Sequence, residues 1–147
     1  ISTAGTRNVP YTEFHLGYKT TALRPDELLY SIEIKRAFEG YRTYTRKVGT
    51  RNAQAISKVA LACLAKAEDR IVRDIRIGAA SLHETPIRCT AAEQSLLNQR
   101  ITTATIAAAR TALATEVQPI DDIRSTAKYR AAVAANLLEE FLHTLAD

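Results

Sequence analysis

Methionine is absent from all 147 residues, the first included, and the chain opens on Ile1. Removal of an initiator Met ordinarily exposes a small residue. This start therefore predicts a processed product or a piece of a longer polypeptide, the alternative being a Met-poor protein whose disordered start is missing. Cysteine is scarce, with two residues, too few to staple a small secreted domain or to fill a four-ligand zinc site alone. Five glycines and four prolines exclude collagen-like and low-complexity chains. No apolar run approaches the roughly 20 residues of a membrane-spanning helix. The first residues also lack the basic-then-apolar progression of a signal peptide. The expectation is a soluble, cytoplasmic chain without a membrane partner.

What is present is ordinary globular balance, 46% hydrophobic and 24% charged, enough for one compact domain with a sizeable core. The net charge is +4, from 20 basic and 16 acidic residues. Part of the excess is concentrated in Lys35, Arg36, Arg42, Arg46, Lys47 and Arg51, offset locally by Glu39 alone. Two readings compete: an anionic partner, or a solvated strand edge whose cations discourage sheet-to-sheet pairing.

The chain divides into a strand-like front and a helix-like back. Residues 1–13 are polar and read as an extended lead-in. Pro25, Asp26 and Glu27 form a turn. Leu28, Tyr30, Ile32 and Ile34 then alternate with Leu29, Ser31 and Glu33, which predicts a half-buried strand. Further strands are expected over Tyr41–Val48, over Ala55–Ala65 with Val59, Leu61 and Cys63 on one face, and over Ile71–Ala80. Short connections make these an antiparallel meander. Thr90 and Glu93 match a capping box opening a helix over 90–98. Ile106, Ala109 and Leu113 give a second helix within Thr102–Glu116, and Val133, Leu137, Phe141 and Leu145 stripe a third from about Thr126 to Leu145. The fold class is α+β: an antiparallel sheet of three to four strands, followed by three helices packed on one face.

Familiar catalytic constellations are missing. His15, His83 and His143 are far apart, and no HxxxH or HExxH spacing occurs. Cys63 reads as a small core hydrophobe. Cys89 precedes a helix cap that would lower its pKa, but no acid–base partner accompanies it, and a structural role is favoured for both. Neither GxGxxG nor GxxxxGK[ST] is present, so a self-contained nucleotide fold is not indicated. Asp121 and Asp122, before the last helix, are read as capping carboxylates in preference to metal ligands. The residues taken alone describe a basic α+β domain without a named function.

Three segments in order add a resemblance. The first is Gly17-Tyr18-Lys19-Thr20-Thr21-Ala22-Leu23-Arg24-Pro25-Asp26-Glu27-Leu28-Leu29. The second runs from Arg46-Lys47-Val48-Gly49-Thr50-Arg51 to Ala55-Ile56-Ser57-Lys58-Val59. The third pairs Thr85-Pro86-Ile87-Arg88 with Asp121-Asp122-Ile123-Arg124-Ser125-Thr126-Ala127-Lys128-Tyr129-Arg130. Together they resemble the C-terminal domain of the flavin subunits of molybdenum hydroxylases, the xanthine dehydrogenase and carbon monoxide dehydrogenase flavoproteins, over residues 14–147.

The resemblance implies the same sheet-and-three-helix fold and a role beside FAD. In that family FAD is held mainly by two N-terminal FAD-binding domains, and the C-terminal domain helps close the pocket around the isoalloxazine ring. Electrons reach the flavin from iron–sulfur clusters after hydroxylation at a molybdopterin centre, and leave to NAD or another acceptor. The iron–sulfur clusters and molybdopterin belong to partner subunits or domains. The resemblance places Leu29 as an apolar contact to the flavin, Lys47 near the polar edge of the ring, and Ile56 packing near it. A cation at Lys47 suits the negative charge of reduced flavin. Gln54 stands where the NAD-using animal branch carries an acidic residue, so the loop Val48–Ser57 is similar to the bacterial subunits. No catalytic or metal-ligating residue is assigned to this chain, and its partners include no nucleic acid; self-association is left open. The alternative is a non-catalytic module, using its basic region or its surface to bind a partner or dimerise.

Overall fold

The computed structural model describes residues 1–51 and 54–146. The chain forms two compact units, Ile1–Glu39 and Gly40 onward, each described here by itself.

In the first unit Pro10 caps a single 3-10 turn, Tyr11–Glu13. A short hairpin follows, β1 (His15–Gly17) against β2 (Thr20–Thr21), with Lys19 at φ 55° in the connection. The rings of Tyr11 and Phe14 meet His15 edge-on. Arg7 grips Glu27 with a two-point fork, both contacts 2.6 Å, and donates to the carbonyl of Ala22. Glu27 also accepts from the amide of Arg24 at 2.8 Å, which ties off the expected turn at Pro25–Asp26.

The strand expected at Leu28–Ile34 does not form. Leu28 exchanges hydrogen bonds with Ile1, and beyond it the backbone joins no ladder among the described residues. Tyr30, Ile32 and Ile34 are 77%, 74% and 84% exposed. Alternation prepares two faces, but a strand needs a second strand to take up its amides and carbonyls.

The second unit carries the sheet. Its strands are β3 (Arg42–Val48), β4 (Val59–Glu68), β5 (Ile71–Ala80) and β6 (Ile87–Arg88), antiparallel and neighbours in that order. The four-stranded meander is thus present with a different membership: β6 follows β5, residues 28–34 take no part, and β4 begins at Val59 instead of Ala55. Val59, Leu61, Cys63 and Ala65 are buried on one face of β4, as their alternation predicts. Asp69 and Arg70, both at positive φ, make the two-residue turn into β5 that matches right-handed strand twist. A bulge follows: Asp74 lies opposite Lys66 and Val72 opposite Ala67, leaving Arg73 over. Val72 and Ile75, three residues apart, can therefore both face the core.

Three helices cover that face: α1 (Thr90–Leu96), α2 (Thr103–Glu116) and α3 (Ala127–His143). α1 packs on β5, α3 on β4, and α2 against both other helices. α2 buries Ile106, Ala109 and Leu113, the stripe expected of it. α3 buries Leu137 and Phe141 together with Ala134, Leu138 and Leu142, and the Phe141 ring lies 5.5 Å from that of Tyr44 on β3.

The helix starts correct one expectation. Thr90 and Glu93 do not form a capping box; the N-cap is Cys89, without a side-chain cap bond. Glu93 is buried and accepts from the Ile77 amide at 2.8 Å and from the fork of Arg88. The free amides of Ala91 and Ala92 are taken instead by Glu116, at 2.9 and 3.0 Å, from the end of α2. A capping box needs its carboxylate free to fold back, and the sheet has claimed this one. The box that does form joins Thr102 and Thr105 at α2. At α3, Thr126 accepts from the Tyr129 amide and Asp121 from the Ala127 amide, so the capping role of Asp121 holds.

Candidate functional site

Because β4 alternates, the sheet has a second face turned away from the helices. Register places Thr43, Thr45 and Lys47 of β3 on it, beside Ala60, Ala62 and Leu64 of β4 and Gly78 and Ala80 of β5. Small side chains make its middle flat. Lys47 sits at one end, exposed and opposite Ala60, with no ion pair among the described residues.

The loop after Lys47 is tightly built. The carbonyl of Val48 accepts from the amide of Lys58 at 2.7 Å and closes its mouth. Inside, Arg51 donates twice to the carbonyl of Gln54, which is at φ 50°. A Cβ at Gly49 would lie 3.0 Å from that of Ala55 and 3.4 Å from the carbonyl of Arg51, so this turn needs glycine's missing side chain. Ile56 rides on the loop with 63% of its surface exposed. Asn52 and Ala53, within the loop Val48–Ser57, lie outside the described residues.

Of the three residues singled out by resemblance, Lys47 and Ile56 thus flank one loop of the second unit. Leu29 belongs to the first unit, where it is 57% exposed and lines an open cleft with Tyr11, Phe14 and Tyr30. The basic run is partly committed inside the fold. Arg46 pairs with Glu140 of α3 at 3.1 Å, Arg51 holds its own loop, and β3 is an edge strand of its sheet.

Two polar clusters were invisible to sequence reasoning. At the opposite end of the uncovered face, Tyr41 donates to Asp74 at 2.8 Å, and Arg76 pairs with the same carboxylate. The bond to Asp74 raises the Tyr41 pKa. Burial pulls the Asp74 carboxyl up, but Tyr41 and Arg76 outweigh it and hold the group below its ordinary value. The second cluster is Arg130, 4% exposed, with Asp122. Residues 33 and 8 apart give no local pattern, so neither pairing had a sequence signal beyond the charge itself.

The chemistry available is binding and charge placement. Burial pushes the thiols of both Cys63 and Cys89 up to about 12, so the lowering expected of Cys89 at the helix start is overturned, and the structural reading of both fits. Asp122 accepts from the amides of Arg124 and Ser125 and pairs with Arg124 and Arg130, so it is occupied by the protein itself. Among the described residues no cluster of metal-ligating groups occurs, and no helix is long and apolar enough to cross a membrane. The helix-free face thus ends in Lys47, a cation with no ion pair among the described residues, beside the exposed apolar side chain of Ile56.

The model of the CO dehydrogenase flavoprotein C-terminal domain family matches residues 44–145. The glyceraldehyde dehydrogenase medium chain of Sulfolobus acidocaldarius is 27% identical over 130 residues, 88% of this chain and 45% of that one. The xanthine dehydrogenase FAD-binding subunit of Escherichia coli is 27% identical over 130 residues, 88% of this chain and 44% of its own length. Quinoline 2-oxidoreductase from Pseudomonas putida superposes with a TM-score of 0.86 at 22% identity, over 98% of this chain and 50% of that chain, a likeness of fold. The chain spans about half the length of the curated relatives it matches.

Proposed function

The chain belongs to the CO dehydrogenase flavoprotein C-terminal domain family, and on that premise we propose that it closes the flavin pocket of a molybdenum-hydroxylase FAD subunit. The supporting observation is Lys47, a cation without an ion pair among the described residues, at the end of the helix-free sheet face and beside the loop that exposes Ile56. FAD, when bound, supplies the redox chemistry. The residues of the second unit cover the ring: Ile56 offers apolar surface and excludes water, and the Lys47 ammonium offsets the negative charge of the reduced ring, while Leu29 enters as a flavin contact through the resemblance alone.

The phosphate-binding part of the FAD site lies in separate FAD-binding domains, with residues 1–13 as the lead-in from them and 14–147 as the C-terminal domain. The chain alone is not catalytic. Its partners are those domains and the iron–sulfur and molybdopterin subunits, in the cytoplasm, with NAD or another compound as the electron acceptor. Relatives named for glyceraldehyde, xanthine and quinoline share this fold, so substrate choice is made elsewhere in the assembly. Xanthine or another N-heterocycle is the substrate class we favour.

Lys47→Ala in the intact enzyme tests the reading. Flavin reduction or reoxidation should slow about tenfold, equivalent to about 1.4 kcal/mol of lost stabilisation. Unchanged flavin kinetics would remove Lys47 from the pocket. FAD should bind this chain weakly by itself, in a fluorescence titration. The rival reading, a basic module for anionic partners, predicts binding that weakens steeply with salt; with Arg46 and Arg51 already engaged, it has fewer free cations to use.

A further inference from the structure

A charged side chain inside an apolar core needs a reason, because its desolvation is costly unless several bonds compensate. Arg130, on the first turn of α3, is such a case. Its guanidinium donates to the carbonyl of Lys58 at 3.0 Å, to that of Ser81 at 3.4 Å and to Asp122 at 2.6 Å. Nε has no hydrogen-bond partner among the described residues. Each acceptor lies next to the end of an element: Lys58 closes the β3–β4 loop, Ser81 follows β5 at φ 64°, and Asp122 holds the turn before α3.

Lys58 is the informative one. Its amide donates to the carbonyl of Val48, the residue after Lys47, and its carbonyl accepts from Arg130, so the two peptide units that meet at Lys58 are each fastened. Its ammonium lies 5.4 Å from the ring centre of Tyr129, the residue before Arg130. The mouth of the loop carrying Ile56 is thereby pinned to α3 by neighbouring side chains.

We propose that Arg130, oriented by Asp122, is a positioning residue that sets how the β3–β4 loop presents Ile56 beside Lys47. The flavin part of this statement rests on the function proposed above; the loop part does not. A planar fork suits the task because three acceptors beside different elements must be met from one buried centre, which an ammonium on a flexible stem does less well. Asp122 stays ionised to do its share: the Arg124 amide, followed by its other donors, holds its carboxyl at about 2.

The test is amide hydrogen exchange on this chain, with wild type, Arg130→Lys and Asp122→Asn. Both variants should speed exchange over residues 54–58 by about tenfold or more, while the amides of Leu61, Cys63 and Ile77 keep their protection. Unchanged loop exchange in either folded variant overturns the proposal, as does loop and core exchange rising together. Asp122→Asn keeps the test open if Arg130→Lys does not fold, since it leaves the buried side chain in place. In the intact flavin-loaded enzyme, Arg130→Lys should move the flavin absorption bands in the same sense as Lys47→Ala. If Lys47→Ala leaves the flavin untouched while Arg130→Lys still loosens the loop, the flavin reading fails and the clamp stands.

Discussion

β4 and the segment Leu28–Ile34 carry the same period-two pattern and end in opposite states. β4 lies between β3 and β5, with Val59, Leu61 and Cys63 buried. In the first unit, Tyr30, Ile32 and Ile34 stand in solvent on a backbone without a ladder. Leu61 and Ile32 are both large alternating aliphatics, so composition does not separate the two segments. The difference is partnership. β4 has a two-residue turn delivering β5 beside it and a tight loop returning it from β3. An alternating segment is an offer of a strand, and a second backbone must accept it.

The largest contrast should come from truncating each segment. Leu61→Ala should cost about 2–5 kcal/mol in urea denaturation, the usual cost of a buried Leu cavity. Ile32→Ala should stay within about 0.5 kcal/mol, as for an exposed site. A large loss at Ile32 would mean that the segment is covered in solution, and the comparison would fail. A smaller effect sharpens the same contrast in a helix. Glu116→Ala removes the distant acceptor of the Ala91 and Ala92 amides, and should cost about 1 kcal/mol, like other lost caps. Thr90→Ala, at the local motif, should change stability by less than about 0.5 kcal/mol.

The smallest effect concerns pH in the first unit. The fork from Arg7, followed by the amide of Arg24, lowers the Glu27 carboxyl from 4.5 to about 2. Its folded pKa lies below its unfolded one, so the pair's contribution is complete above pH 4.5 and fades as pH falls toward 2. An NMR titration of the Ala22 and Leu28 amides should show a midpoint near 2 in the wild type, moving back toward 4.5 in Arg7→Ala.

Much of the second unit was legible in the chain. The stripe Ile106–Ala109–Leu113, the inward face of β4 and the third helix follow from short-range periods, and those were read within a few residues of their bounds. The candidate site was legible only through resemblance: periodicity would have left Lys47 an edge lysine and Ile56 ordinary core. Exposure of Ile56 is a tertiary fact, because residues 55–57 stand outside the ladder, which β4 enters only at Val59. The Thr90–Glu93 box failed for a related reason, since the sheet amide of Ile77 competes for Glu93 from 16 residues away.

The sequence by itself determined the things that neighbours along the chain decide: which residues share a face, where α2 and α3 start at Thr102 and Thr126, and where Asp69 and Arg70 reverse direction. Tertiary structure alone decided which alternating segment gained partners, which carboxylate capped α1, and that Arg130 would be buried against Lys58, 72 residues away. Local bonds cost little chain entropy and leave a periodic trace, whereas a bond across the fold exists only after the core has brought its ends together.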